Sequence, residues 1–209
     1  MEIPDAIDFE VPSGGSDAIE EAAKLLSDAK FPVILNGAGV ILGGAIKASK
    51  KLAEKLDAPV CCNYQHNDAF PGSHPLYAGP LGYNGSKAGM ELISKADVVL
   101  ALGTRLNPFS TLPGYGLDYW PKNAKLIQVD MNAERIGLTK PVAVGIAGDA
   151  KKTAEGILEK LTPDAGNQGR QERRDLIAEL KATWSETLAA MDHEDDDPGT
   201  SWNLRAREK

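Results

Sequence analysis

The chain has 209 residues, of which 42% are hydrophobic and 25% are charged, and a formal net charge of −7 at pH 7. This length suits one core with a tail, and no apolar run approaches the ~20 residues of a membrane span. The negative charge argues against a nucleic-acid surface, and the lack of a signal-peptide pattern at the amino terminus predicts a cytoplasmic protein.

The first part of the chain follows the order of a doubly wound α/β sheet, in which strands and helices alternate. Residues 1–15 predict an extended connector, and residues 16–29 predict a helix with Ser16 as its N-cap. The unbroken apolar run at residues 31–35 is typical of a strand that is buried on both faces. A helical pattern follows at residues 45–56.

A glycine turn at residues 36–39 lies between that strand and that helix. Strand, glycine turn and helix is the order of a dinucleotide-binding fingerprint, but Leu42 stands where the third glycine belongs and Gly43 comes one residue late. The turn therefore predicts either close packing of the helix against the strand or a phosphate held at the helix start. The sequence leaves both interpretations open.

The middle of the chain predicts a second strand at residues 58–63, an irregular loop with a short third strand near residues 76–78, and a helix at residues 85–96. His66 and His74 lie in the loop, but their spacing matches no metal-ligand pattern, so we expect no metal site. The adjacent cysteines, Cys61 and Cys62, are expected to be buried thiols of the core.

The strand predicted at residues 98–102 leads to the edge where open parallel sheets bind ligands. Gly103 ends this strand, and Thr104, Arg105 and Asn107 follow it. If this strand lies beside the first strand, its loop faces the glycine turn across a crevice.

The rest of the chain predicts strands at residues 124–129 and 141–146 and a helix at residues 150–161. A long loop at residues 106–122 contains the aromatic residues Phe109, Tyr115, Tyr119 and Trp120. We expect these rings to close over the core rather than to stack on a cofactor. Residues 171–191 predict an isolated amphipathic helix, within a tail at residues 162–209 that leaves a finished domain.

Four sequence blocks stand in order along the chain, at residues 31–39, 74–79, 96–105 and 128–137, followed by Gly148-Asp149-Ala150. In these blocks the chain resembles the central domain of the thiamine-diphosphate-dependent enzymes of the acetohydroxyacid synthase and pyruvate oxidase group. The resemblance implies a three-layer, doubly wound, six-stranded parallel sheet, Rossmann-like and related to the DHS-like NAD/FAD-binding fold. It places the central domain at residues 16–161, with residues 162–209 leading towards an absent carboxy-terminal domain.

Two loops, at residues 62–75 and 107–116, look like those of a narrower branch of this group, the sulfoacetaldehyde acetyltransferases. The resemblance implies that thiamine diphosphate takes up sulfoacetaldehyde, that sulfite leaves, and that phosphate accepts the acetyl group as acetyl phosphate. Such chemistry depends on the electron sink that the thiazolium ring supplies. A central domain of an acetolactate synthase-like enzyme is the alternative.

The chain lacks the parts that hold thiamine diphosphate in this group. Those parts are a glutamate in an amino-terminal domain and a Gly-Asp-Gly motif that holds Mg²⁺ and diphosphate in a carboxy-terminal domain. Gly148-Asp149-Ala150 lacks the second glycine of the motif. We therefore expect a middle domain of a longer homodimeric or homotetrameric enzyme, with the missing domains as its partners and without catalytic residues or turnover of its own.

The resemblance also implies two groups of site residues. A nucleotide such as FAD or ADP, which some relatives bind in this domain, is expected at Gly37, Ala38, Gly39, Gly103, Thr104, Arg105, Asp130 and Asp149. After Arg105 the chain departs from the FAD-binding relatives, which continue with acidic residues and another arginine, and this departure argues against flavin. The substrate channel is expected to be lined by Tyr83, Asn107 and Phe109.

Two other classes of function are compatible with the glycine turn. One is a free-standing nucleotide-binding protein related to the sirtuin or deoxyhypusine synthase folds, although the remaining motifs of those families are missing. The other is a structural or assembly domain that binds no nucleotide, because a doubly wound sheet needs glycine turns merely to fold.

Overall fold

A computed structural model describes residues 12–83 and 85–194. Its strands are β1 (Pro32–Asn36), β2 (Val60–Asn63), β3 (Tyr77–Leu81), β4 (Val98–Leu102), β5 (Lys125–Asp130) and β6 (Val144–Ala147). All neighbouring strands are parallel, and the order across the sheet is β3-β2-β1-β4-β5-β6. The predicted doubly wound sheet is confirmed, and β1 lies beside β4 as the crevice requires.

The helices are α1 (Ser16–Asp28), α2 (Ala38–Leu42), α3 (Ile46–Leu56), α4 (Lys87–Ile93), α5 (Ala150–Lys160) and α6 (Arg170–Glu194). Helix α5 packs against α1 and α3, and α4 packs against α6. Every residue of β1 and β4 is buried, so both faces of the central strands are covered, as a parallel sheet requires. Among the described residues, none of the helices has the length and apolarity to cross a bilayer.

The two cysteines lie side by side in β2, where both are buried and neither forms a disulfide. Burial raises the pKa of the Cys62 thiol to about 12, and it also raises the pKa of the Cys61 thiol. Both thiols therefore stay protonated at neutral pH and behave as small apolar side chains, which confirms the prediction of core cysteines.

Several element boundaries differ from the sequence predictions. Gly15, rather than Ser16, is the N-cap of α1, and no side chain caps this helix. The glycine turn leads directly into α2, which the sequence analysis missed because a helix of five residues shows too little of the 3.6-residue period. Strand β3 continues to Leu81, beyond the expected end at Ala78, because its pairing with β2 holds a glycine and a proline in the sheet.

The described end of the amino-terminal connector is attached to the domain. The amide of Asp149 donates to the carbonyl oxygen of Pro12 at 2.8 Å, and Ser13 forms an antiparallel bridge with Gly148. Residues 1–11 of the predicted connector and residues 195–209 of the predicted linker lie outside the described residues.

The prediction that the carboxy-terminal helix is isolated is wrong. The first half of α6 packs on the domain, where Ile177 is buried and Arg173 is 1% exposed. The five N–H groups of the Arg173 guanidinium donate at 2.6–3.0 Å to the backbone carbonyl oxygens of Lys30, Leu56, Asp57, Gly166 and Gln168. Sequence could not reveal this contact, because the acceptors are main-chain atoms of three separate segments.

The aromatic loop between β4 and β5 covers the core only in part. Tyr119 is buried, and its hydroxyl donates to the carbonyl oxygen of Ser110 at 3.2 Å. Trp120 is half-buried against the core. Phe109 and Tyr115 are 56% and 51% exposed, so the expectation that these rings close over the core is wrong for them.

Candidate functional site

A cleft of about 900 Å³ opens at the carboxyl ends of the strands, the edge where doubly wound sheets bind ligands. Its volume lies within the range of roughly 300–1,000 Å³ typical of small-molecule sites. Most of the predicted nucleotide residues line it, namely Ala38, Gly39, Gly103, Thr104, Arg105, Asp130 and Asp149. Asn107 of the predicted channel lines it as well, while Gly37 is buried behind it.

The glycine turn packs against the end of β4 more closely than another residue type would allow. A Cβ atom on Gly37 would lie 2.5 Å from the carbonyl oxygen of Gly103, and one on Gly39 would lie 2.7 Å from the Cα of Gly103. The amides of Gly37 and Gly39 donate to the carbonyl oxygens of Leu102 and Gly103 at 3.0 and 2.9 Å. These two amides are therefore used by the fold and are not available to a phosphate.

The two predicted carboxylates are also bound by backbone amides. Asp149 caps α5, and its Oδ1 accepts hydrogen bonds from the amides of Lys151 and Lys152 at 3.0 and 2.9 Å. Asp130 is 8% exposed, and its Oδ1 accepts a hydrogen bond from the amide of Asn132 at 2.9 Å. Each carboxylate thus has one oxygen that holds a loop or a helix end, whatever else it binds.

One residue on the cleft lining, which the sequence analysis missed as a site residue, has an unused polar atom. Asn63 ends β2 and is 7% exposed, and its Nδ2 donates to Thr104 Oγ1 at 2.8 Å. Within the described part of the chain, Asn63 Oδ1 has no hydrogen-bond partner. Because an unpaired buried oxygen costs ~1–3 kcal/mol, this position favours a ligand or a water that carries an N–H or O–H group. A polar residue at the end of a buried strand was the available signal.

Gln128, a second residue that the sequence analysis missed, ties the loops on one side of the cleft together. Its Nε2 lies 3.2 Å from the carbonyl oxygens of both Thr104 and Arg135, to which it donates. Its Oε1 accepts a hydrogen bond from the amide of Gly137 at 2.9 Å. The loop after β5 is therefore fixed to the loop after β4.

The structure brings together the three predicted channel residues, which the sequence separates. The amide of Tyr83 donates to the carbonyl oxygen of Phe109 at 3.1 Å. Asn107 Oδ1 accepts from the amide of Phe109 at 2.9 Å and so caps the short 3₁₀ helix Pro108–Ser110. The side chain of Tyr83 is 65% exposed, so two aromatic rings stand in solvent on loops that hydrogen bonds hold in place.

The described residues do not fit a thiamine diphosphate site. Across residues 12–83 and 85–194, no group of three or more His, Cys, Asp or Glu side chains is placed to hold a metal ion. His74 lies 3.2 Å from Glu54, and this hydrogen bond lowers the pKa of the Glu54 carboxyl. His66 lines the cleft, and Asp149 Oδ1 caps α5 through the amides of Lys151 and Lys152.

Comparison with known proteins agrees with this description. A family model described as the central domain of thiamine pyrophosphate enzymes matches residues 19–157. Sulfoacetaldehyde acetyltransferase from Roseovarius nubinhibens is 75% identical over 207 residues, which cover 99% of this chain and 34% of that protein. The acetolactate synthase isozyme 3 large subunit of Escherichia coli is 31% identical over 169 residues, 81% of this chain and 29% of that subunit.

The fold also recurs among solved structures. Benzoylformate decarboxylase from Polynucleobacter necessarius matches with a TM-score of 0.64 and 21% identity, over 81% of this chain and 32% of that chain. The chain thus spans about a third of the length of the proteins that it matches. The resemblance expected from the sequence is confirmed, both for the wider group and for its narrower branch.

Proposed function

Because the chain belongs to the family of thiamine pyrophosphate enzyme central domains, we propose that it is the central domain of a sulfoacetaldehyde acetyltransferase. The observation that carries this proposal is 75% identity to one such enzyme over 99% of the chain, against 31% identity to an acetolactate synthase subunit. The complete enzyme converts sulfoacetaldehyde and phosphate to acetyl phosphate and sulfite, a redox-neutral step of taurine and sulfonate metabolism.

In this proposal, thiamine diphosphate and Mg²⁺ are held by the amino- and carboxy-terminal domains of the complete enzyme. When bound there, the thiazolium ring supplies the electron sink for the reaction. Residues 16–161 form the central domain, and residues 162–209 lead towards the carboxy-terminal domain. The complete enzyme is a cytoplasmic homodimer or homotetramer, and the chain alone is inactive.

The contribution of this chain is to shape the path of the substrate. Two observations support this role for Tyr83, Asn107 and Phe109: the two aromatic rings are exposed, and backbone hydrogen bonds fix the loops that carry them. Exposed aromatic rings on fixed loops can form a wall that excludes water around a small anionic substrate such as a sulfonate or phosphate.

A nucleotide such as ADP in the cleft is a second candidate function. The unpaired Asn63 Oδ1 favours it, because ribose and adenine both offer N–H or O–H donors. FAD is the less favoured nucleotide, because the segment after Arg105 departs from that of FAD-binding relatives. A domain of an acetolactate synthase-like enzyme remains the alternative at the level of the whole protein.

The test of the main proposal uses the complete enzyme that contains this chain. With thiamine diphosphate, Mg²⁺, phosphate and sulfoacetaldehyde, it should release sulfite and form acetyl phosphate in equal amounts. Acetolactate formation from pyruvate without sulfite release would instead identify an acetolactate synthase-like enzyme. The 209-residue chain, assayed in parallel, should show neither activity.

The channel role has its own variant. Phe109→Ala in the complete enzyme should raise KM for sulfoacetaldehyde or phosphate, because it removes an exposed ring from the channel wall. Leu138→Ala is the matched control, since Leu138 is another exposed apolar side chain, 74% exposed, and lies on a different loop, the one after β5. Equal Michaelis constants in the two variants would reject the role of Phe109.

Nucleotide binding is tested separately on the 209-residue chain by calorimetry with ADP, FAD, coenzyme A and thiamine diphosphate. Binding of one of the first three would support the nucleotide cleft. If none of the four compounds binds, the result would support a domain that only forms a wall of an active site built by the other domains. Tight binding of thiamine diphosphate to this chain would contradict the assignment of that cofactor to the other domains.

A further inference from the structure

We propose that Trp184 of α6 and Tyr115 of the loop between β4 and β5 are positioning residues for the substrate channel. This inference rests on the proposed function, because it concerns how the channel residues Tyr83 and Phe109 are held. In this role α6 does more than connect domains: its outer half fixes the loops from which the two channel rings project.

The first contact joins α6 to the aromatic loop. The ring centroids of Tyr115 and Trp184 are 5.4 Å apart, and the ring planes are inclined at 66°, the edge-to-face arrangement that aromatic pairs favour. Tyr115 is 51% exposed and Trp184 is half-buried. The pair therefore lies at the surface, beyond the buried part of α6 around Ile177, and it is not part of the core.

The second contact joins the aromatic loop to the turn that carries Tyr83. The Tyr115 hydroxyl donates to the carbonyl oxygen of Gly85 at 3.0 Å. The amide of Gly85 in turn donates to the carbonyl oxygen of Gly82 at 2.9 Å, which closes a tight turn around Tyr83. Movement of the Tyr115 ring therefore changes the support of this turn directly.

The third contact joins the two channel residues to each other. Besides the hydrogen bond from the Tyr83 amide to the Phe109 carbonyl oxygen, the turn is pressed against the loop at Gly82. A Cβ atom there would lie 2.0 Å from the Phe109 carbonyl oxygen and 2.7 Å from the Cα of Ser110. The two backbones are thus in direct contact, so a shift of the turn that carries Tyr83 is transmitted to the loop that carries Phe109.

The backbone at Tyr115 supports a role for its side chain. Its φ is +52°, in the left-handed region that residues other than glycine rarely adopt. Gly116 follows with φ +73°. Glycine would adopt the same conformation at position 115 without steric cost, so the contacts of the tyrosine with Trp184 and Gly85 compensate for its presence there.

The first test does not depend on the proposed function. In the 209-residue chain, Trp184→Ala should speed amide hydrogen exchange of Tyr83 and Gly85 about fivefold, the size expected for the loss of one aromatic pair. Thr183→Ala is the control, because Thr183 is the exposed neighbour of Trp184 on the same helix. Equal exchange in the two variants would overturn the proposal.

The second test uses the complete enzyme and separates positioning from folding. Trp184→Ala and Tyr115→Phe should each raise KM for sulfoacetaldehyde about fivefold and leave kcat within about twofold, and Trp184→Phe should restore most of the loss. A purely structural contact would instead lower the melting temperature and the active fraction at an unchanged KM, and that result overturns the proposal.

The two tests also distinguish the failure of this inference from the failure of the proposed function. If the wild-type complete enzyme releases no sulfite, the proposed function fails, and the channel role of Trp184 and Tyr115 fails with it. If the wild-type enzyme is active and exchange is faster in Trp184→Ala while KM does not change, only the positioning role fails.

Discussion

Asn36 and Asn63 end neighbouring strands of the same sheet, and both are buried, but the fold uses their side chains differently. Asn36 Nδ2 donates to the Ala69 carbonyl oxygen at 3.0 Å and to Ser49 Oγ at 2.9 Å, and Asn36 Oδ1 lies 3.1 Å from the Ser49 hydroxyl, which can donate to it. Asn63 Nδ2 donates to Thr104, and its Oδ1 has no partner among the described residues.

The difference follows from what covers each strand end. Helix α3 packs over the end of β1 and supplies Ser49, whereas the end of β2 borders the open cleft. Residue type and strand position are the same in the two cases, so neither tells an asparagine that the fold saturates from one that keeps an unpaired oxygen. The hydrogen-bond inventory does, because a group saturated by the protein holds the fold and an unsaturated one can receive a ligand.

The strongest test of this rule is a substitution of Arg173, because all five of its guanidinium N–H groups donate hydrogen bonds. Arg173→Met should lower the free energy of unfolding by about 4 kcal/mol, because it removes five hydrogen bonds at once and takes the guanidinium donor away from the buried carbonyl oxygens of Leu56 and Asp57. Urea unfolding followed by circular dichroism measures this change. Arg174→Met should cost only about 1 kcal/mol, since the Arg174 side chain is 54% exposed and Arg170 stays near Asp57. Equal losses would contradict the rule.

The next largest effect is expected at Asn36. Asn36→Ala should lower the free energy of unfolding by about 2–3 kcal/mol, because it leaves the Ser49 hydroxyl and the Ala69 carbonyl oxygen in the interior without the hydrogen bonds that Asn36 makes to them. The measurement is again the urea midpoint with an unchanged slope. A double variant with Ser49→Ala should recover part of the loss, and a strictly additive double variant would show that the two side chains are not coupled.

Asp149 both lines the open cleft and accepts hydrogen bonds from the backbone amides at the start of α5. Asp149→Ala should cost about 1 kcal/mol through the lost cap of α5. Asp149→Asn should keep most of that stability, because an asparagine side chain also caps a helix. If both variants unfold like the wild type, the cap contributes nothing to the stability of the domain.

The smallest effect on stability is expected at Asn63. Asn63→Ala should change the free energy of unfolding by less than about 1 kcal/mol, because the lost hydrogen bond is offset by removal of a desolvated oxygen. Thr104 Oγ1 still accepts a hydrogen bond from the amide of Leu106 at 3.1 Å in this variant. If ADP binds the wild-type chain, the same variant should bind it more weakly. A stability loss as large as that of Asn36→Ala would mean that Asn63 Oδ1 has a partner.

The sequence was sufficient to predict an element where its local pattern agrees with its environment in the folded domain. Residues 98–102 form β4 with the predicted boundaries, because a strand buried on both faces is apolar throughout. The sequence also predicted that the glycine turn faces the loop that begins at Gly103, and the pairing of β1 with β4 places them so. Sequence failed where a long-range contact decides, as for Arg173, whose charge predicts exposure and whose acceptors are all backbone atoms.

The candidate site divides in the same way. Its location could be predicted, because parallel strands all end at one edge and the polar residues after β4 mark that edge. The use of each residue could not be predicted: Gly37, Gly39 and Asp149 have bonds within the fold that no local pattern specifies. The position of Asn63 at the end of a buried strand could be read from the sequence, but the missing hydrogen-bond partner of its Oδ1 could not.

The burial of Cys61 and Cys62 gives the protein a built-in reporter of its own opening. Strand β2 lies between β1 and β3, so both sulfur atoms are shielded until that strand separates from the sheet. These are the two cysteines of the whole sequence, and a thiol reagent therefore labels the chain only as fast as this part of the sheet opens. The labelling rate of the unmodified protein thus reports how readily this part of the sheet opens.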